Sequence, residues 1–442
     1  MKLKDITLDK FIIAIAIISL FFTFTNYIPV SAIVSLMIIF LPYYMYKQRN
    51  ELSKVTKWLF ILFSVMALLA LIYDMKSLLK YEFYRRDGNL FITYAPLLIL
   101  PLIKNDIDMN KLLEKFLSIM AIINIVLIIQ YLTQNSIQEI LKNERVAFFM
   151  FQTHNAAGGY ISTLLCLSIG VFVTNKNTKN FAVIVVNTIA LLLTNSRGSI
   201  IGVIFALLVL ICNTKALHKF QKILKNIDIK LFVLCLTTII MVSSIIMANL
   251  GNKVLIEPKD EFELPKELTQ YEWIFKTIGR SHTIINRTCY LWPRAMRLFT
   301  ESPLLGTGFG SYTDRPYELL KIIPNILEIN VSEVKYSDSH AHNSYLHVLS
   351  ETGILGFSIL MVTLFYIRKS ILNIENKTYK CALYSTFICI VFSSFTEHRL
   401  FTPSQLLPFT IILGLCLSWE ETKKKNNKIM ITGEKNENIN SK

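Results

Sequence analysis

Apolar residues run in blocks of roughly 15 to 25 along almost the whole chain, separated by short polar stretches. A block of that length, coiled as a helix with some tilt, crosses the roughly 30 Å of hydrocarbon in a bilayer. The blocks centre near residues 18, 36, 66, 97, 125, 167, 188, 206, 241, 356, 389 and 411. The pattern predicts an all-α polytopic membrane protein with about 12 transmembrane helices; the blocks near 97, 188 and 206 are short, which sets a range of eleven to thirteen. One interval breaks the rhythm. From about Gly251 to Asn343 some ninety residues pass without a spanning block, too many for a structureless connection, and a small helical domain outside the membrane is expected there. The chain thus divides into helices 1–9 over residues 1–250, the large loop domain over 251–343, helices 10–12 over 344–419, and a polar tail over 420–442.

Composition agrees with this class. Of 442 residues 53% are hydrophobic and 17% charged, with a mean hydropathy of +0.46, which a soluble chain of this size does not reach. The formal net charge of +15 lies mostly in short lysine-bearing stretches between apolar blocks, so it reads as membrane topology and attraction to lipid headgroups. No basic-aromatic module for nucleic acid occurs. Met1–Lys10 and the apolar run behind it have the outline of a signal peptide. A second apolar run follows at once with no small-residue cleavage site, and a retained first helix is expected. Six of the seven cysteines lie in or beside apolar blocks, so no disulfide framework is expected.

Orientation follows from lysine. Lys2, Lys4 and Lys10 at one end and Lys423, Lys424, Lys425 and Lys428 at the other place both termini in the cytoplasm, and every loop then assigned inside is basic. Arginine does the reverse. Ten of the twelve arginines, among them Arg85, Arg86, Arg145, Arg197, Arg280, Arg287 and Arg399, fall on the opposite side, with six of the seven histidines there or just inside the adjoining helix. Guanidinium groups present planar forks of donors that match phosphate or carboxylate, so an outward cluster points to a bound anion.

The densest candidate chemistry is Asp338–Tyr345, where the large loop enters the tenth span. Ser339 or Asn343 is placed to cap that helix, and His342 then lies near its positive end, where the dipole favours a neutral ring able to accept a proton. His347 and Glu351 share a helix face one turn apart inside the membrane. For His340 and His342 three roles stay open on the residues alone: packing and capping at the surface, a metal pair with Asp338, and proton transfer. Arg197 sits in the tight turn Thr194–Ser199, whose backbone amides with one guanidinium form a phosphate nest; the bland reading is an arginine snorkelling from a helix end. Arg85 and Arg86 with Asp87, and Arg399 beside His398, either line the same cleft or meet headgroups.

The string His342-Asn343-Ser344-Tyr345-Leu346, followed by Leu349, Glu351, Gly353 and Gly356, resembles the C-terminal signature of the O-antigen ligase and O-antigen polymerase superfamily. Arg145 with Asn155, then Thr194–Gly198, then Arg287 through Trp292 to Pro303, Leu304, Gly306 and Gly308, match in order. The interval from Arg287 to Trp292 is one residue longer than the usual pattern, which leaves Arg280 as the alternative equivalent. The resemblance implies a membrane-embedded glycosyltransferase in lipopolysaccharide biosynthesis, with an undecaprenyl-diphosphate-linked glycan as donor and neither nucleotide sugar, metal nor other cofactor. It implies that Arg197 with one or both of Arg280 and Arg287 binds the diphosphate, that His342, beside His340, deprotonates the acceptor hydroxyl, and that Asn343, Glu351, Arg145 and Asn155 support them.

The expected function is therefore O-antigen ligation onto a lipid A core sugar at the periplasmic face of the bacterial inner membrane. A polymerase extending an O-antigen or capsule glycan on its own carrier is the sister alternative. The rival from another class is a transporter or flippase of an anionic lipid-linked substrate, which calls for broken helices in two corresponding halves.

Overall fold

The computed structural model describes residues 8–25, 30–49, 52–134, 153–211, 287, 291–314 and 340–440. Among these residues every regular element is helical, and no strand occurs. The helices are α1 (Leu8–Phe22), α2 (Val30–Ile39), α3 (Leu41–Lys47), α4 (Lys54–Tyr73), α5 (Tyr81–Arg85), α6 (Asn89–Ile99), α7 (Met109–Gln134), α8 (His154–Thr174), α9 (Thr178–Thr194), α10 (Arg197–Ile211), α11 (Trp292–Glu301), α12 (Ser344–Leu372), α13 (Lys377–Ser393) and α14 (Pro403–Asn440).

Each expected span centre within the described residues falls inside a helix, and the one near 241 lies outside them. Among the described residues five stretches are by length and composition sufficient to cross a membrane: Val30–Lys47, Lys54–Tyr73, Met109–Gln134, His154–Thr174 and Ser344–Leu372. Asn89–Leu102, Thr178–Thr194 and Arg197–Leu210 are apolar but shorter, the same three regions whose blocks are short in the sequence.

Side-chain caps explain several helix starts. Ser53, Thr153, Asn177, Asn343 and Asn376 each accept a backbone N–H of the first turn, satisfying donors that the helix itself leaves open. The helices α8 and α12 are the central ones: buried positions make up 78% and 72% of their most apolar stretches, against 39% in α4 and in α7. Helix α13 packs on α8 and α10, α14 on α6 and α8, and α12 on α4 and α11. Between α8 and α13 the approach is close enough that a Cβ on Gly170 would sit 2.2 Å from the Cα of Ala382. A buried polar ladder joins three helices, with Asn124 donating to Asn187 at 2.8 Å and Asn187 to Ser168 at 3.2 Å. Such bonds hold helices together where lipid offers the backbone and side chains no partner.

The two ends of the bundle differ. At one end a cavity of about 560 Å³ is lined by Lys47, Lys104, Asn373, Glu420 and Lys424, from loops and helix ends that the lysine rule assigns to the cytoplasm. At the other a smaller cavity of about 250 Å³ is lined by Tyr73, Lys80, Arg86, Asp87 and Asp314.

Most of the expected loop domain, Arg280 included, lies outside the described residues, as does Arg145. What is described of it belongs to the bundle. An amphipathic helix is expected over Asn286–Glu301, lying on the lipid interface; α11 instead buries Ala295, Met296, Leu298 and Phe299 and packs on α12. After it, Gly306, Gly308 and Gly310 all take positive φ, a conformation open to glycine without the penalty a side chain brings. They lead the chain across α12 at Gly353, whose own φ of 58° interrupts that helix. There the N–H groups of Ile354 and Leu355 bond to the carbonyls of Pro303 and Leu304 at 2.8 and 3.1 Å, replacing partners the helix has lost.

Candidate active site

The centre of the site is a carboxylate. Glu397, in the loop between α13 and α14, is 6% exposed, and its two oxygens are divided: Oε1 accepts from a terminal nitrogen of Arg287 at 2.7 Å, and Oε2 meets Nδ1 of His342 at 3.2 Å. Burial alone would raise this carboxyl. The His342 hydrogen bond and the positive charges of Arg287 and Arg399 outweigh it and hold Glu397 well below the usual carboxylate range, ionised.

Two residues further on, Arg399 is buried at 2% exposure and anchors the opposite side of the loop. Its guanidinium donates to the carbonyl of Asn155 at 2.7 Å and to the hydroxyls of Ser199 and Ser196 at 3.0 and 3.3 Å. The Ser196 hydroxyl in turn reaches Oδ1 of Asn155 at 3.3 Å. The start of α8 and the turn between α9 and α10 are thereby fixed to the Glu397 loop. Asn195 makes that turn in the left-handed conformation, and a Cβ on Gly198 would come within 2.7 Å of Thr396 Oγ1 and 3.0 Å of Glu397 Cγ. Arg197, between Ser196 and Gly198, therefore leaves the backbone where the turn touches the Glu397 loop.

His342 belongs to the segment ahead of α12. Asn343 is the cap, its Oδ1 accepting from the N–H groups of Tyr345 and Leu346 at 3.0 and 3.1 Å, so the capping choice between Ser339 and Asn343 falls to Asn343. Ser344 ties this corner to the Glu397 loop: its hydroxyl donates to the Glu397 carbonyl at 3.1 Å and its N–H to the Ser394 carbonyl at 2.9 Å. His342 itself has φ of 48°, a left-handed conformation that costs a non-glycine residue on the order of 1–3 kcal/mol. Such a cost persists only where surrounding contacts hold it, and here the ring is aimed at Glu397.

His340 packs edge-on to His342 with centroids 4.3 Å apart and stacks on His398 at 4.8 Å. Burial, the largest cause, pushes the His398 imidazole well below its ordinary value, so it is neutral. Behind it His347 and Glu351, both 0% exposed, face each other at 3.6 Å as their helical spacing requires. Glu351 accepts the backbone N–H groups of Gly310 and Tyr312 at 3.0 and 2.8 Å, which attaches the glycine-rich loop to α12. His347 Nε2 meets Asp87 at 2.6 Å. No pair of His340 with His342 forms part of a three-residue metal-ligand group among the described residues; the one such group there is Asp87, His347 and His398.

Of the expected site residues, His342, His340, Arg287, Asn343 and Asn155 thus meet around one loop, with the Arg197 turn against it and Glu351 one layer behind. Arg399 is part of the cleft. Glu397 is the residue that sequence reasoning passed over. Its only signal is the run Glu397-His398-Arg399, three ionisable groups between two apolar blocks.

Residues 181–361 match the family model described as O-Antigen ligase. That segment is similar to the O-antigen ligase family. The match takes in Arg197, Arg287, His342 and Glu351, and leaves Asp87, Asn155, Glu397 and Arg399 outside it. The chain is also 26% identical over 145 residues to "Exopolysaccharide production protein ExoQ" of Rhizobium meliloti (strain 1021), which covers 31% of this chain and 32% of that protein. The alignment spans about a third of ExoQ's own length. Both matches are thus to proteins described by polysaccharide ligation or exopolysaccharide production, and the apolar helices of this chain are long enough to cross a membrane.

Proposed function

We propose that this protein is an inverting, metal-independent glycosyltransferase that moves a glycan from undecaprenyl diphosphate to a lipid A core sugar at the periplasmic face of the inner membrane. The observation that carries this reading is the Glu397 carboxylate, shared between an arginine suited to a diphosphate and a histidine suited to a hydroxyl.

With Nδ1–H donated to Glu397, the lone pair of His342 lies on Nε2, which takes the proton of the attacking acceptor hydroxyl. The acceptor oxygen bonds to the anomeric carbon from the face opposite the carrier, the carbon–oxygen bond to the diphosphate breaks, and the electron pair leaves with undecaprenyl diphosphate. Inversion follows from that geometry. Glu397 holds the tautomer and stabilises the imidazolium formed, in the manner of the carboxylate in a catalytic triad. Arg287 spends one donor on Glu397 and retains others in its five-donor fork; with Arg197, and Arg280 as its alternative, it meets the charge growing on the leaving diphosphate. Guanidinium groups do this in place of the metal that commonly neutralises such a group, and the outer loops carry no Asp-x-Asp motif.

A second reading, polymerisation of the glycan on its own carrier, is favoured by the printed name of ExoQ, an exopolysaccharide production protein. Purified protein incubated with carrier-linked glycan and each acceptor, followed on a gel, separates the two by which acceptor grows. His342→Ala tests the chemistry common to both. It is expected to keep donor binding and lose transfer; transfer at the wild-type rate refutes the base, and undiminished translocation of lipid-linked glycan without transfer supports a transporter instead.

A further inference from the structure

One layer behind the proposed base, His347 joins the turn just ahead of its own helix to two segments distant in the chain. Its Nδ1 accepts the backbone N–H of Ala341 at 3.4 Å, its Nε2 meets Asp87 Oδ1 at 2.6 Å, and its ring lies 4.9 Å from that of Tyr312, in the loop that Glu351 holds. Ala341 is the residue between His340 and His342. We propose that His347 is a positioning residue: by accepting the Ala341 N–H it fixes the left-handed turn at His342 and so the aim of the catalytic ring, an inference that rests on His342 being the base.

The hydrogen-bond pattern defines the tautomer. An Nδ1 that accepts from Ala341 leaves the ring hydrogen on Nε2, which donates to Asp87 with Glu351 3.6 Å away. Asp87 stands in the turn between α5 and α6 and is 1% exposed, so the far end of the bond is enclosed by protein. A ring clamped at both nitrogens cannot rotate, and neither can the backbone it holds. The same residues suggest a rival: Asp87, His347 and His398 bring one ligand atom each within 4.8 Å of one another. A metal on His347 Nε2, however, moves the ring hydrogen to Nδ1, where it would face the Ala341 N–H donor to donor. The observed contact therefore favours the hydrogen-bonded clamp over a metal site.

Asparagine and glutamine separate the two nitrogens. In His347→Asn the amide oxygen stands near the position of Nδ1 and still accepts from Ala341; in His347→Gln the amide nitrogen reaches toward Asp87 but the acceptor near the backbone is gone; His347→Ala has neither. Transfer by the purified full chain is measured with lipid-linked glycan extracted from the source cells, counting only protein that elutes as a single species in detergent. Misplacing a reacting group by about 1 Å costs up to about 100-fold in rate, so His347→Ala and His347→Gln are expected to lose about 10- to 100-fold in kcat with donor KM changed less than about threefold. His347→Asn is expected to recover most of kcat, which a residue needed only for folding has no reason to show. The proposal is overturned if folded His347→Ala keeps wild-type kcat, if His347→Asn is as impaired as His347→Ala, or if elemental analysis finds one metal per wild-type chain that His347→Ala lacks. Should His342→Ala retain wild-type transfer, it is the base assignment that fails, and the two failures are read from different variants.

Discussion

Oε2 of Glu397 lies 3.2 Å from Nδ1 of His342, a residue 55 positions earlier in the chain. The pair converts a loop histidine into an oriented one. A carboxylate on one ring nitrogen fixes which of the two carries hydrogen, and thereby which can receive a proton from substrate.

Glu397→Gln should therefore cost more than its small change in shape suggests. The amide offers His342 either a neutral oxygen or a competing donor, and the imidazolium loses its counter-charge. Turnover is expected to fall roughly 10²- to 10⁴-fold while donor binding changes little. Single-turnover transfer beside equilibrium binding of the lipid-linked donor checks this, and equal loss of both would mean that Glu397 serves the substrate pocket instead.

Arg399→Lys tests the other side of the loop. One ammonium replaces a planar fork that reaches the Asn155 carbonyl and two serine hydroxyls in fixed directions. Loss of stability of about 3 kcal/mol, the lower range for breaking a buried charged contact, should appear as a lower midpoint of thermal unfolding in detergent. A midpoint equal to wild type would show that the fork is not needed.

Gly170→Ala probes the frame apart from the chemistry. The added methyl would meet the backbone of Ala382 at 2.2 to 2.4 Å, which no side-chain rotation relieves. Helices α8 and α13 must separate, with an expected cost of about 1–3 kcal/mol. Unfolding should shift downward while transfer per folded molecule changes little.

Acid should weaken the folded state in two stages. Burial places the folded His398 well below its ordinary 6.5, so its contribution to stability is complete above that pH and declines as pH falls below it. Glu397 is likewise lower in the folded protein than the ordinary 4.5, and its contribution is complete above that value and lost below it. Thermal midpoints measured down through pH 6.5 and then 4.5 should show both declines. His398→Asn should remove the first alone.

Much of the frame is legible in the chain because a bilayer imposes it: a helix must be apolar for a set length, and its ends need caps. The Asn343 cap and the His347–Glu351 pair follow from such local spacing. Glu397 does not. Its partners Arg287 and His342 stand 110 and 55 positions away, and an isolated glutamate between apolar blocks reads as an ordinary solvated charge until tertiary packing buries it. The same holds for Asp87, whose tie to His347 spans 260 positions. The left-handed backbone at His342 is also silent, since no glycine or turn dipeptide marks it. Helix α11 misled for a related reason: an apolar stripe states that something covers it, and sequence does not say whether lipid or protein does.

The interruption of α12 at Gly353 gives the two halves of that helix separate moorings. Residues before it are bound to the glycine-rich loop through Glu351, and those after it begin with N–H groups bonded to Pro303 and Leu304. A bilayer that thins or thickens acts on the long apolar half, and the break is the point at which that half can lean. The His342 ring and the Glu397 carboxylate are both tied to the half before the break, through Asn343 and Ser344.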